Sequence, residues 1–232
     1  MTSNAAYTSL PALPLMIWLS PAFPVGSFAY SHALEWAAEA GDLPNANALQ
    51  AWLGDVMSSG ALRNDAILLA AGWSAAREGN AAALAEANDL ALALSSSHER
   101  FIETAAQGNA FMIAVRSAWG SKRLADLAEP LTPDIAYPVA VGLAAAAHGL
   151  DLGAALDAYL TALISNLASA AIRLGIIGQT QAQSIIAALL PRMRALADMA
   201  AHASLDDVGG CALRSDIASM RHETQQTRLF RT

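Results

Sequence analysis

The sequence predicts an all-α protein folded as a single compact bundle of roughly ten helices. Alanine and leucine, both strong helix formers, account for 55 and 32 of the 232 residues. Aromatic residues make up only 6%, and runs of β-branched residues are sparse, which argues against a β-sandwich or barrel. Apolar residues recur at helical spacing, and no Gly/Ser-rich linker divides residues 1–232. We therefore expect one helical domain.

The first quarter of the chain contains three predicted helices separated by breaks. A short helix ends at Leu19, because the two prolines and the glycine of residues 20–26 cannot continue it. A second helix covers about 27–40 and stops at Gly41, a residue suited to the left-handed position that follows a helix. A third begins at Pro44, and its apolar face is formed by Leu49, Trp52, Leu53 and Val56.

The rest of the chain contains seven further predicted helices. They lie at about 61–78, 81–94, 97–120, 133–148, 151–174, 179–202 and 205–219. The helices over 151–174 and 179–202 show the clearest stripe of apolar residues at i, i+3, i+4 and i+7. Pro191 interrupts the second of these and predicts a kink. The abundance of alanine predicts close approach between helices.

Charge and composition exclude several classes of protein. Twenty acidic against thirteen basic residues give a net charge of −7, so we expect no nucleic-acid partner. A single cysteine, Cys211, cannot form an intramolecular disulfide. The long apolar stretch contains Asn166 and Arg173, which argues against a membrane span. The first basic residue is Arg63, so no positively charged leader precedes the early apolar segment, and we expect a cytoplasmic protein.

The sequence contains no recognisable catalytic or metal-binding motif. The chain lacks GxxxxGK[ST], GxGxxG, GxSxG and CxxC, and its five histidines lie far apart. We predict no catalytic residue, no bound metal and no cofactor. Glu99, Arg100 and Glu103 share a helix face, which is typical of a solvated ion-pair surface. The alternative is a helical hydrolase or transferase that uses Glu99 and Glu103 as paired carboxylates.

Two charged features near the C-terminal end allow more than one interpretation. Arg173 ends a long apolar helix, where it either stabilises the negative end of the helix dipole or presents a charge to a partner. Residues 221–232 are rich in arginine and contain the pair Leu229 and Phe230. They are either a frayed terminus or a segment that becomes ordered on a partner. We refer to residues 221–232 as the C-terminal tail.

Three blocks of the sequence together resemble one family. These are SPAFPVGSFAYSHALEW at 20–36, SN followed by AAIRL and GQ within 165–179, and RHETQQTRLFR at 221–231, with a weaker block at 99–108. Their order and spacing resemble the UreF family of urease accessory proteins from end to end. The chain departs from the family pattern at Ser27, Ala33, Ile176 and Gln226.

The resemblance implies an all-α homodimer without a catalytic site, which acts as a nickel-insertion co-chaperone. Such proteins bridge a UreD/UreH-type scaffold protein and the nickel-carrying GTPase UreG on the way to apo-urease. They govern when GTP is hydrolysed, so that nickel is released into the urease active site.

The resemblance also assigns partner-binding residues. Glu35 and Arg173 would lie on the surface that meets the GTPase, with Arg173 as an arginine finger or as a gate that restrains hydrolysis. Phe28 and Arg228 would support the scaffold-binding conformation, with the C-terminal tail folding onto the body. The full set is Phe28, Tyr30, Glu35, Arg173, Arg221, Glu223, Arg228, Leu229, Phe230 and Arg231.

Overall fold

The computed structural model describes residues 12–131 and 133–232. These ranges contain eleven α-helices, two short 3₁₀ turns (Ser27–Ala29 and Leu205–Asp207) and no strand, which confirms the all-α prediction. The helices are α1 Leu13–Trp18, α2 Leu34–Glu39, α3 Ala46–Ser59, α4 Ala61–Glu78, α5 Ala81–Ala93, α6 His98–Trp119, α7 Lys122–Ala128, α8 Tyr137–Ala147, α9 Leu152–Arg173, α10 Gln179–Ala200 and α11 Leu213–His222.

Side-chain caps fix where many of the helices begin. Asn80, Ser97 and Asp151 each accept a hydrogen bond from the backbone N–H three residues further on. Asn45 and Ser121 do the same for α3 and α7. Each cap satisfies a backbone donor that has no partner inside its helix. The predicted starts of α5, α6 and α9 therefore agree with the structure to within one residue.

Helix α8 lies at the centre of the bundle. All its residues from Tyr137 to Ala146 are buried, and α4, α5, α6, α7 and α9 pack around it. A helix that is apolar on every side is expected in such a position. Gly72 of α4 lies against Val139, and a Cβ atom at Gly142 would overlap the backbone of Leu69. Small residues therefore allow α4 and α8 to approach closely.

The predicted helix at 27–40 is wrong, because the chain is interrupted before α2. Residues Ser27–Ala29 form a 3₁₀ turn, and the backbone then passes through His32 and Ala33 with φ angles of 51° and 66°. This left-handed conformation cannot continue a right-handed helix. We refer to residues 26–33 as the Phe28 loop.

Two further segments differ from the predicted elements. Helix α7 was not predicted, although Ser121 caps its start. The predicted helix at 205–219 is divided, because Gly209 and Gly210 adopt positive φ angles and α11 begins only at Leu213. Pro191 lies inside α10 without ending it.

Helix α9 is a long apolar helix in the interior of the bundle. Among the described helices, only α9 is long and apolar enough to cross a membrane, and 56% of its most apolar window is buried inside the structure. The core helix of a soluble protein meets the same criterion. Helices α1, α2, α4, α8 and α10 all pack on α9, so it is a core helix of this bundle.

Candidate partner-binding site

The C-terminal tail packs on the body of the chain alongside the Phe28 loop. The Arg231 N–H donates to the Ala29 carbonyl at 2.8 Å, and the Ser31 N–H donates to the Thr232 main-chain oxygen at 2.8 Å. The Ser31 hydroxyl donates to the same oxygen at 2.6 Å. The interpretation of residues 221–232 as a frayed terminus is therefore wrong.

Glu35 is the main acceptor for the backbone of the tail. Its carboxylate accepts the N–H of Leu229 at 2.6 Å and the N–H of Phe230 at 2.9 Å. Only 7% of Glu35 is exposed. In the free chain this carboxylate is therefore occupied by two backbone donors of the tail that need an acceptor, and its assignment to a partner-facing surface stays a prediction.

Glu99 ties the start of α6 to the tail. Its carboxylate lies 2.7 Å from Nδ1 of His222 and accepts a hydrogen bond from Arg228. The backbone N–H of Glu99 donates to the Glu223 carboxylate at 3.2 Å. His222 is fully buried and also lies 3.3 Å from Glu35. The two ends of the tail are thus attached to both α2 and α6.

Glu103 is buried beneath the tail, with its side chain 1% exposed. It forms an ion pair with Arg100, lies 2.7 Å from Nε2 of His32, and accepts the Thr232 hydroxyl at 2.7 Å. Burial alone would raise the pKa of Glu103, but Arg100, His32 and the hydrogen bonds from His32 and Thr232 lower it well below its ordinary value. The prediction of a solvated ion-pair face is wrong, because this carboxylate and that of Glu99 are occupied in holding the tail.

Asp65 is a further acidic residue close to Arg100, His32 and Glu103. Tyr159 of α9 donates a hydrogen bond to Asp65 of α4 at 3.2 Å. Burial raises the pKa of Asp65, although Arg100, His32 and the bond from Tyr159 act in the opposite direction. Asp65 could not be singled out from the sequence, since one aspartate among the polar residues at the start of α4 has no distinguishing pattern.

Arg173 is enclosed between two aromatic rings. Its guanidinium carbon lies 3.6 Å from the ring centre of Phe28 and 4.3 Å from that of Phe230. Its Nη1 donates to the Phe28 carbonyl at 2.6 Å. Within residues 12–131 and 133–232, its buried Nε and Nη2 atoms have no hydrogen-bond partner. Burial lowers the pKa of Arg173. The side chain therefore binds the Phe28 loop while lying in the last turn of α9, where a positive charge also favours the helix dipole.

Asn166 of α9 belongs to the site, although it is not among the predicted partner-binding residues. Its amide donates to the Ser27 carbonyl at 3.1 Å and lies 3.5 Å from the Tyr30 carbonyl. Together with Arg173 and the tail, it supplies a donor to each of the four carbonyls of residues 27–30. A polar residue in the apolar stretch of α9 was the available signal.

Most of the predicted site residues gather around the tail, but their exposure differs. Phe28 is 65% and Leu229 63% exposed, whereas Tyr30 and Phe230 are buried. The four predicted charged residues of the tail, Arg221, Glu223, Arg228 and Arg231, are exposed. A shallow depression of about 430 Å³ lies here, lined by Tyr30, Glu99, Ile102, Arg228, Phe230, Arg231 and Thr232. An apolar surface bordered by arginines is typical of a site for protein–protein contact.

The structure defines an all-α protein that presents an exposed apolar surface bordered by arginines. The family model UreF matches residues 43–190. The chain is 52% identical to the urease accessory protein UreF of Methylobacterium radiotolerans over 224 residues, which cover 97% of this chain and 98% of that protein. It is 52% identical to the protein of the same name from Azorhizobium caulinodans over 221 residues, covering 95% of each. The chain belongs to the UreF family of urease accessory proteins.

Proposed function

We propose that this chain acts as a nickel-insertion co-chaperone that joins other maturation proteins to apo-urease. In this role it bridges a UreD/UreH-type scaffold and the GTPase UreG, and it regulates GTP hydrolysis during nickel delivery. It makes and breaks no covalent bond itself. The observation that carries the proposal is the pair of exposed apolar side chains, Phe28 and Leu229, beside the arginines of the tail.

The exposed side chains of Phe28, Arg228, Leu229 and Arg231 form what we call the tail surface. This surface supports binding of the scaffold protein. Large apolar side chains flanked by arginine are the residue types that contribute most to binding at interfaces. Leu229 is anchored by its own N–H on Glu35, so its side chain is held outward before any partner binds. A surface ordered in advance loses less entropy on association. We assign Leu229, Arg228 and Arg231 to contact with the scaffold.

Arg173 supports binding of the GTPase. Two of its guanidinium nitrogens lack a partner among the described residues, and the exposed Phe28 ring covers one face of the group. If that ring moved away, Nε and Nη2 of Arg173 could donate two parallel hydrogen bonds to a carboxylate or a phosphate. Glu35, which the resemblance places on the same surface, contributes to it by holding the backbone of the tail. Arg173 then serves as an arginine finger or as a gate on hydrolysis.

We further propose that the chain forms one domain and works as a cytoplasmic homodimer. The buried apolar cluster includes residues from α1 to Phe230 of the tail, which supports a single folding unit. Several large apolar side chains outside the tail are exposed, among them Leu13, Met16 and Ile17 of α1. Exposed apolar surface of this kind is a feature of proteins that associate with copies of themselves or with partners.

The proposal is tested by co-purification with a UreD/UreH-type scaffold. We expect Leu229→Asp and Phe28→Asp to abolish recovery of the scaffold, because each places a charge within an apolar contact. Ile113→Asp is the matched control, since Ile113 is 71% exposed on α6 and lies outside the tail surface. Helicity measured by circular dichroism should be the same in all variants. Scaffold recovery by Leu229→Asp at the level of the unsubstituted chain would contradict the proposal.

A further inference from the structure

The Phe28 loop is built around a single 3₁₀ turn over Ser27–Ala29. The turn is closed by a 3.2 Å hydrogen bond from the Tyr30 N–H to the Ser27 carbonyl. The ring of Phe28 projects from it and is 65% exposed. Because one short turn of this kind fixes little by itself, the direction of the ring depends on the contacts that other elements make with the loop backbone.

The side chain of Asn166, on α9, spans this turn. Its amide nitrogen donates to the Ser27 carbonyl at 3.1 Å and lies 3.5 Å from the Tyr30 carbonyl. An asparagine amide carries two N–H groups, so the one nitrogen serves both acceptors. The turn begins at Ser27 and is capped at Tyr30. Asn166 therefore sets the position of the backbone on both sides of Phe28.

Arg173 supports the loop from the same face of α9. It lies about two helical turns after Asn166, so the two side chains leave the helix in a similar direction. Its Nη1 donates to the Phe28 carbonyl at 2.6 Å, and its guanidinium carbon lies 3.6 Å from the centre of the Phe28 ring. Arg173 thus holds Phe28 itself, while Asn166 holds the residues around it.

Asn166 is an unfavourable residue for α9 itself. Asparagine has a lower helix propensity than the alanine and leucine that dominate this helix, because its amide competes for backbone hydrogen bonds. The side chain is half-buried in a core helix and bonds a loop that lies far away in sequence. A residue that weakens its own element in this way is typical of a functional position.

We propose that Asn166 is a positioning residue for partner binding: its amide holds the backbone of Ser27 and Tyr30, and this directs the Phe28 ring outward to the scaffold protein. The inference deepens the proposed function and rests on it, since that function places Phe28 on the tail surface. Asn166 acts through Phe28 and makes no contact with the scaffold itself.

The first test follows the loop in the free chain of residues 1–232, by amide hydrogen exchange of Ala29 and Tyr30. Asn166→Asp keeps the shape of the side chain but loses the donor, and Asn166→Leu loses both polar groups. We expect each variant to speed exchange at both amides about three- to tenfold, the factor that corresponds to one ordinary hydrogen bond. Unchanged exchange in both variants would overturn the proposal.

Two controls show whether the effect is confined to the loop. Asn47→Asp and Asn47→Leu, at an exposed position of α3, should leave exchange in the loop unchanged. Leu143, in the buried helix α8, reports on the fold as a whole and should exchange at the same rate in every variant. Exchange at Leu143 that rises as much as exchange in the loop would overturn the proposal, because Asn166 would then support the whole bundle.

The second test measures affinity for a UreD/UreH-type scaffold in a double-mutant cycle. Asn166→Leu should weaken binding about three- to tenfold, the same factor as in the exchange experiment. In the Phe28→Ala background it should cause no further loss, because no ring is left to position. Losses that simply add would overturn the proposal, since a general weakening of the fold does not need the ring.

The cycle also separates failure of this inference from failure of the proposed function. If Phe28→Ala binds the scaffold as tightly as the unsubstituted chain, the proposed contact of Phe28 is wrong and the binding role of Asn166 is overturned with it. If Phe28→Ala weakens binding and Asn166→Leu does not, the proposed function stands and Asn166 is not a positioning residue.

Discussion

Replacement of Glu35 by glutamine tests whether this carboxylate holds the tail on the body. The two oxygens of Glu35 accept the N–H of Leu229 at 2.6 Å and the N–H of Phe230 at 2.9 Å. A glutamine side chain keeps one accepting oxygen but directs an NH₂ group at the other N–H. That backbone donor then has no acceptor.

The expected magnitude follows from these two contacts. A buried donor without a partner costs about 1–3 kcal/mol, and loss of charge from the remaining bond costs about 1 kcal/mol more. The free energy of tail opening should therefore fall by about 2–4 kcal/mol. At about 1.4 kcal/mol per factor of ten, the open fraction rises about 30-fold to 1,000-fold. We expect the effect to be local, since the tail is a short segment at the edge of the bundle.

The assay is amide exchange at Leu229 and Phe230, together with cleavage by trypsin after Arg228. Both rates should rise in Glu35→Gln while helicity stays unchanged. Glu78→Gln is the control, because Glu78 is exposed at the end of α4. Exchange and cleavage in Glu35→Gln at the rates of the unsubstituted chain would refute the assignment of Glu35 as the anchor of the tail.

Three further predictions concern stability. Gly142→Ala should lower the free energy of unfolding by about 2 kcal/mol in a denaturant titration, because the added Cβ overlaps the backbone of Leu69; an unchanged midpoint would contradict close packing of α4 on α8. The pKa of Glu103 is lower in the folded chain than in the unfolded chain, so the ionised carboxylate stabilises the fold fully above about pH 4.5, and this stabilisation is lost as the pH falls below that value. The melting temperature should therefore drop on acidification, and it should drop less in Glu103→Gln. Arg173→Lys should lower the free energy of unfolding by about 1 kcal/mol, because lysine cannot stack between the rings of Phe28 and Phe230. Arg194→Lys, at an exposed ion pair, should lower it by less. Equal losses in the two variants would count against the stacking.

Helix positions were predictable from the sequence where a local signal exists. Ser97 and Asp151 mark the starts of α6 and α9 through bonds to backbone groups only three residues away. The break before α2 has no such signal. The left-handed conformation of His32 and Ala33 accompanies contacts with Glu103 and the tail, which lie far away in sequence. A prediction from helix propensity alone therefore continues the helix through the Phe28 loop, where the structure has only a 3₁₀ turn.

The candidate site was predictable as a set of residues but not as an arrangement. The blocks at 20–36 and 221–231 identified the loop and the tail that lie together. The burial of Glu35 and Glu103 depends on partners more than 100 positions away, and no periodicity reports such a contact. His222 looked like a lone histidine for the same reason. Their roles became apparent only from the three-dimensional contacts.

In the proposed function, urease receives its nickel only when the tail surface of this chain can bind its partner. The most direct measurement is the nickel content of urease purified from cells whose only copy of this chain carries Leu229→Asp. We predict nickel-poor urease despite normal amounts of the variant chain, and fully loaded urease with the Ile113→Asp control. Urease loaded to the normal level in cells with Leu229→Asp would contradict the account.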